Sequence, residues 1–300
     1  MTNRLLTAAR KHSPECIVRD KLYRVALSEK EVKQLQLPAL LHPQLATWLD
    51  PKEVEEQCGT SSFGGVLLSN GCRVIHVPSY LQGLWGACQE LAKDRVTWSV
   101  ENGHDASDWK ARLSKFDTVV LSAGSGLFHD SILNKDPKDF YVDLVRGQSI
   151  EMSLEAASAT EYPNEAILCG KYFAPMPGEN KVLIGATHEY QSEAFDSATV
   201  MDELRNRSYD LSPFVWDHGS VDRITSGYRV QTRRGTKGRM PIIGKAQQCD
   251  VHDNAYLFTG LSARGLIYHG IYGDLLSTAI VAQDDNILLK DHPDVLWWKE

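Results

Sequence analysis

The chain is poor in cysteine: six in 300 residues (Cys16, Cys58, Cys72, Cys88, Cys169 and Cys249), none spaced as Cys-x-x-Cys. That excludes a disulfide-stapled miniature fold, argues against structural zinc, and fits a reducing compartment such as the cytoplasm or an organelle stroma or matrix. Long hydrophobic runs are also absent. No stretch of about 18 uncharged apolar residues occurs, and the most apolar long segment, 266–282, is interrupted by His269 and Asp274. No membrane-spanning helix is expected. The ten histidines include no His-Glu-x-x-His, so they read as dispersed residues and no metal is expected. The hydrophobic fraction of 42%, the charged fraction of 24% and the length exclude a disordered, collagenous or coiled-coil chain and suit about two domains. A net charge of −7 argues against wholesale binding to nucleic acid or anionic membrane. There is no phosphate-loop signature, no Gly-x-Ser-x-Gly and no kinase set, and no triad is supported by spacing, so hydrolase chemistry has no foothold. A Gly-x-Gly-x-x-Gly fingerprint is missing too: the glycines at 59–65 are wrongly spaced, and Gly124-Ser125-Gly126 lacks its third glycine.

What is present is a mixture of helices and strands without regular alternation, which predicts an α/β (mixed α+β) fold with a mixed or antiparallel sheet. Residues 2–12 read as a helix; the cations Arg4, Arg10 and Lys11 without an acid also fit the end of a targeting stretch. Residues 15–26 alternate as a strand. Ser28 with Glu31 has capping-box spacing, Asp50-Pro51 opens another helix, and Pro38 and Pro43 break the chain. Asn70-Gly71 between the apolar runs 64–68 and 72–77 predicts a hairpin, and Pro78 opens a helix to about 91. Further strands are expected at 96–100, 117–122, 142–152, 166–174, 181–187, 223–232 and 256–259, with helices over 197–206 and 261–282.

Three segments carry chemistry. Residues 116–126 read as a buried parallel strand, covered on both faces, ending in small residues where open α/β sheets bind ligands, or as a plain core strand and turn. Residues 256–266 repeat that logic: Gly260 and Gly265 open the backbone before a helix whose N-terminus suits an anion. Arg264 opposes the helix dipole there, as either an anion-binding or a surface arginine. From 223 to 249 there is no acid, while Arg223, Arg229, Arg233, Arg234, Lys237, Arg239 and Lys245 supply seven cations. This is either a solvated basic face or a carboxylate or phosphate site. Alternation with Tyr228 and Val230 gives Arg229 one defined face.

Taken in order, these pieces resemble the superfamily of D-amino-acid, glycine and sarcosine oxidases, FAD-dependent oxidoreductases. The resemblance rests on Gly65 to Leu91 with Pro78, Asp117 to Gly124, Val145-Arg146-Gly147-Gln148, Ile184-Gly185-Ala186-Thr187, Gly227-Tyr228-Arg229 running to Met240-Pro241-Ile242-Ile243-Gly244, and Thr259 to Gly265. It is nearest to the flavin oxidase half of the bacterial enzyme that modifies the wobble uridine of tRNA. The resemblance covers about residues 1–283.

It implies an incomplete Rossmann-like FAD-binding domain interleaved with an antiparallel-sheet substrate domain. The segments expected are 1–77 (substrate domain and connecting helices), 78–135 (partial FAD-binding domain), 136–240 (substrate domain), 241–285 (FAD-binding return) and 286–300 (tail). It implies FAD as cofactor, with Ala123, Gly124, Ser125, Gly260, Ser262, Ala263, Arg264, Gly265 and Leu266 beside it, and Arg229 on a substrate carboxylate. Arg229 and Arg264 are the expected catalytic pair. The reaction implied is oxidation of a C–N bond in a small amine or amino acid by hydride transfer to flavin N5. Two departures stand out. The family's opening βαβ unit has no counterpart here, so a truncated form is expected. The loop 232–239 is basic where relatives carry an acid, which admits a bulkier anionic substrate. The alternatives are a non-catalytic remnant and a tRNA-directed flavin oxidase that uses the 223–245 cations.

Overall fold

The computed structural model describes residues 2–101, 105–129, 132–133, 136–140, 142–155, 164–178, 180–190, 193–235, 239–246, 249–289 and 298. In chain order the main elements are α1 (Thr2–His12), β1 (Ile17–Arg19), β2 (Leu22–Val25), α2 (Glu29–Leu41), β3 (Ala46–Leu49), α3 (Pro51–Cys58), β4 (Gly65–Leu68), β5 (Val74–Ile75) and α4 (Val77–Ala92). Then follow α5 (Ala106–Leu113), β6 (Val119–Leu121), α6 (Gly126–His129), β7 (Val142–Leu154), β8 (Ile167–Cys169), β9 (Lys171–Pro175) and β10 (Lys181–Gly185). The last are α7 (Ser197–Ser208), α8 (Pro213–His218), β11 (Gly219–Thr232), β12 (Ile242–Lys245), β13 (Ala255–Thr259), α9 (Gly265–Ala282) and α10 (Asn286–Leu289). The chain forms two compact units: Leu6–Asp94 with Gly147–Gly227, and Met1–Leu5 with Arg95–Arg146 and Tyr228–Glu300. Among the described residues no helix is long and apolar enough to cross a membrane.

The first unit holds a mixed sheet in the order β11-β7-β10-β9-β8-β2-β4-β3. Inward-facing positions such as Ile150, Met152, Phe173, Val182 and Ile184 pack with Val54 of α3, Val200 and Leu204 of α7 and Val215 of α8. Burying a side chain as large as Phe173 stabilises by roughly 1.5–3 kcal/mol. The two helix starts read from sequence carry their caps. Asp50 accepts from the Glu53 N–H at 2.9 Å while Glu53 accepts from the Asp50 N–H at 2.8 Å. At α2, Ser28 accepts from Glu31 N–H, and Glu31 reaches back one residue further, to the Leu27 N–H at 2.9 Å.

Several expectations are corrected. Gly71 does take a turn conformation, φ +75°, but no hairpin forms. Both edges of β4 are taken, by β2 and β3, so β5 pairs instead with β1 in a separate ladder. Pro38 lies inside α2 without ending it: near the carboxyl end it forfeits a single N–H, and its own carbonyl accepts from His42 at 3.0 Å. The strand expected at 15–26 is two short strands, and that at 166–174 is folded back on itself at Gly170, φ +66°. Residues 96–100 form no strand, leaving Trp98 and Val100 exposed.

The second unit is built on a smaller sheet, β12-β13-β6. One face packs Ile243 and Tyr256 on Tyr272, Leu276 and Ala279 of α9. The other packs Val119, Leu121, Ile242 and Leu257 against Leu127, Val142 and Val230. β6 is an edge strand with Val120 45% exposed, so the two-sided cover expected of this apolar run is not present.

Two glycines separate close packing from open space. A Cβ on Gly83 of α4 would be driven into the backbone carbonyl of Ala9, whereas one on Gly273 of α9 meets nothing within 4 Å. Gly83→Ala is expected to destabilise by about 1–3 kcal/mol and Gly273→Ala to stabilise by up to about 1 kcal/mol, both measured by urea unfolding. Burial, then the nearby Glu165 charge, pushes the Cys58 thiol up to about 12. Burial and the Glu31 carboxylate push Cys169 up to about 11. Both stay protonated in mild alkali, so alkylation of the native protein at that pH is expected to mark exposed Cys88 and spare Cys58 and Cys169 until the chain unfolds.

Candidate functional site

The pairing that matters most is between β6 and β13. They run parallel with Ala255 opposite Val119 and Leu257 opposite Leu121. The residues beyond each strand therefore emerge at the same end of the sheet: Ser122-Ala123-Gly124 after β6 and Gly260 after β13. Parallel strands present ligands with that carboxyl end. The two glycine bends expected from sequence are thus brought together inside one unit.

Each bend is shaped for backbone approach. Gly124 has φ +58° and nothing within 4 Å of where a Cβ would stand. Its turn is held by Gly126 N–H donating to the Ala123 carbonyl at 3.0 Å and Phe128 N–H donating to that of Ser125 at 3.0 Å. Gly260 has φ +70°, and a Cβ there would meet Thr232 Cγ2 at 3.0 Å and Ile242 N at 3.2 Å. Only glycine meets both demands at Gly260. Leu261 then bridges Gln231 at the end of β11. Ser262 takes φ +52° and opens a single 3₁₀ turn over Ser262–Arg264. The long helix consequently starts at Gly265, four residues later than the sequence implied. Its first N–H groups have no partner within the helix and face outward at the positive end of the dipole.

Arg264 is the N-cap residue of α9. Its guanidinium donates to the Tyr268 hydroxyl at 2.8 Å, and Tyr268 stacks edge-on to Tyr272 with centroids 5.6 Å apart. Ala263 and Leu266 are exposed, and Gly265 is half-buried. Arg229 is half-buried in β11, and its Nη2 is enclosed without a hydrogen-bond partner among the described residues. The adjacent Tyr228 is held by Arg146, whose Nε donates to the Tyr228 hydroxyl at 2.9 Å and whose guanidinium stacks 4.8 Å from the ring centroid.

The cation-rich run does not form one basic face. Arg223 pairs with Glu151 at 2.7 Å, Arg239 donates to the Thr232 carbonyl at 2.6 Å, and Lys237 lies outside the described residues. Arg233, Arg234 and Lys245 are exposed. Among the described residues no His, Cys, Asp and Glu cluster could hold a metal ion. Gln148 of the Arg146-Gly147-Gln148 motif belongs to a buried clasp: its N–H donates to Thr187 Oγ1 at 2.8 Å, its amide to the Phe195 carbonyl at 2.9 Å, and Glu189 accepts from the Phe195 N–H at 3.1 Å. Sequence reasoning did not single out Thr232 and Thr259, whose hydroxyls are buried beside the Gly260 bend without partners among the described residues. Threonine at the end of an apolar strand was the only available signal.

A dinucleotide needs exposed backbone amides, room beside them and a helix N-terminus. Gly124 with its open flank and the start of α9 meet those needs, and the buried Gly260 turn joins β13 to that helix, so the residues fit FAD. A family model described as "FAD dependent oxidoreductase" matches residues 2–279. No curated protein matches the sequence. Among solved structures, glycine oxidase from Bacillus cereus ATCC 14579 is similar at 16% identity and a TM-score of 0.68, covering 96% of this chain and 79% of that one. Glycine oxidase from Geobacillus kaustophilus gives 19% identity and 0.67 over 94% and 76%. Iminodiacetate oxidase from Chelativorans sp. BNC1 gives 14% and 0.68 over 97% and 80%. With a family model spanning nearly its whole length, the chain belongs to the FAD dependent oxidoreductases.

Proposed function

We propose that this oxidoreductase oxidises a C–N bond of a small amine or amino acid. The observation that carries the reading is the shared exit of the Gly124 and Gly260 bends at one end of the β6–β13 pair. Similarity to structures described as glycine oxidases and an iminodiacetate oxidase supports the substrate class. FAD, when bound, supplies the hydride acceptor that turns an amine into an imine.

The chain's own residues do the rest. Gly124 presents its main chain without side-chain cover and the buried Gly260 turns the chain towards the start of α9, with Ala123, Ser125, Ser262, Ala263 and Leu266 flanking the two bends. The outward N–H groups at the start of α9 favour negative charge on the cofactor. The Arg264–Tyr268 hydrogen bond holds the N-cap side chain along the helix and away from those amides. Arg229, half-buried with Nη2 unpartnered among the described residues, offers a guanidinium for a carboxylate. No general base is required if the amine arrives neutral.

Three outcomes test this. Protein purified with added FAD is expected to carry flavin absorbance and to lose it on anaerobic addition of glycine, sarcosine or iminodiacetate; protein that takes up no flavin would overturn the reading. Gly124→Ala is expected to cost about 1–2 kcal/mol in stability from the left-handed backbone alone and to weaken FAD uptake, read by fluorescence titration. Arg229→Met is expected to raise KM for carboxylate-bearing substrates about ten- to hundredfold, with little change for amines lacking a carboxylate, read by steady-state kinetics.

A further inference from the structure

The β12-β13-β6 sheet has a second end. Antiparallel pairing sets Ile242 opposite Thr259 and Lys245 opposite Tyr256, so Lys245 and Tyr256 stand three strand positions, roughly 10 Å, from the Ile242–Thr259 pair that precedes the Gly260 bend. There a cavity of about 580 Å³ is lined by Lys245, Asp253, Asn254, Tyr256, Gln283 and Asp285.

Tyr256 is only 4% exposed, yet its hydroxyl has no hydrogen-bond partner among the described residues and stays open to the cavity. An open hydroxyl on an otherwise buried ring can donate to or accept from a molecule in the cavity. Burial, then the charge of Asp285, which lines the same cavity, raises the phenol's pKa and keeps it neutral. Asn254 spends its amide donors inward, on the Asp117 carbonyl at 2.9 Å and Thr118 Oγ1 at 2.8 Å, leaving its oxygen as an acceptor. Gln283, in the left-handed conformation, ends the 18-residue helix α9, whose carboxyl end is the negative pole of its dipole. The wall is therefore rich in acceptors. The one cation among the lining residues is the exposed Lys245, which is paired in register with Tyr256 and makes no ion pair among the described residues.

Two carboxylates, a phenol and an ammonium around one cavity complement a small molecule that carries both charges. We propose that this cavity binds an amino-acid zwitterion, its ammonium toward Asp253, Tyr256 and Asp285 and its carboxylate on Lys245, at a site separate from the glycine bends. No step of the oxidation passes through it, so its occupancy does not depend on Arg229.

The test is titration of the full chain with glycine, using methylammonium and acetate as single-charge probes, followed by amide NMR shifts. Glycine is expected to shift the amides of Lys245, Asp253 to Tyr256 and Gln283 to Asp285 saturably. Lys245→Met and Asp253→Asn, both at exposed positions, are each expected to weaken this about tenfold, and Arg229→Met to leave it unchanged. Failure of those amides to shift, shifts that persist undiminished in Lys245→Met and Asp253→Asn, or shifts abolished by Arg229→Met would overturn the proposal. Methylammonium or acetate binding as tightly as glycine would overturn it too. None of these outcomes bears on whether the glycine bends hold FAD, which flavin absorbance reads separately.

Discussion

The parallel ladder between β6 and β13 is the constraint on which the rest of the site depends. It is short, three residues on each side, yet it decides that segments more than a hundred positions apart in sequence turn at the same level. Strand direction is what matters. An antiparallel pair would have put the two bends at opposite ends of the sheet, and neither alone makes a dinucleotide cradle. The packing that maintains the ladder is two-sided at β13, with Leu257 facing the Leu127 cluster and Tyr256 facing α9. Even a strand at the edge of a three-stranded sheet is thereby kept in register.

The larger sheet contributes a different kind of order. Its strands are held by a hydrophobic face under α3, α7 and α8 and by the buried Gln148–Thr187–Glu189 clasp. That clasp surrounds a fully buried carboxylate with hydrogen-bond donors from a side-chain amide, a hydroxyl and a main-chain N–H. A polar group placed inside a protein is kept there by hydrogen bonds that replace its lost hydration. Two motifs that sequence reading joined only by resemblance, Arg146-Gly147-Gln148 and Ile184-Gly185-Ala186-Thr187, are joined physically at this clasp.

The balance between the cofactor bends and the cation-rich segment also becomes physical. In sequence, seven cations without an acid look like one surface. In the fold, a long strand and its following loop scatter them: Arg223 reaches Glu151, Arg239 turns back onto its own strand, and Arg229 is partly enclosed. A charge run makes a face only if the backbone carrying it presents one side throughout, and β11 alternates.

Local rules were legible where the partners are local. The capping residues Ser28 and Asp50, the prolines at helix starts, the glycine bends and the long apolar helix all follow from residues within a turn or two of each other. The hairpin at Asn70-Gly71 was misread because a turn signal says that the chain reverses, while pairing depends on which strand edges are free, and β4 has none. The exposed edge of β6, the start of α9 at Gly265, the acceptor-rich cavity at Tyr256 and the meeting of the two bends were settled by tertiary structure. Each depends on atoms distant in sequence coming within a few ångströms. Hydrophobic periodicity and turn chemistry carry no information about which distant atoms those are.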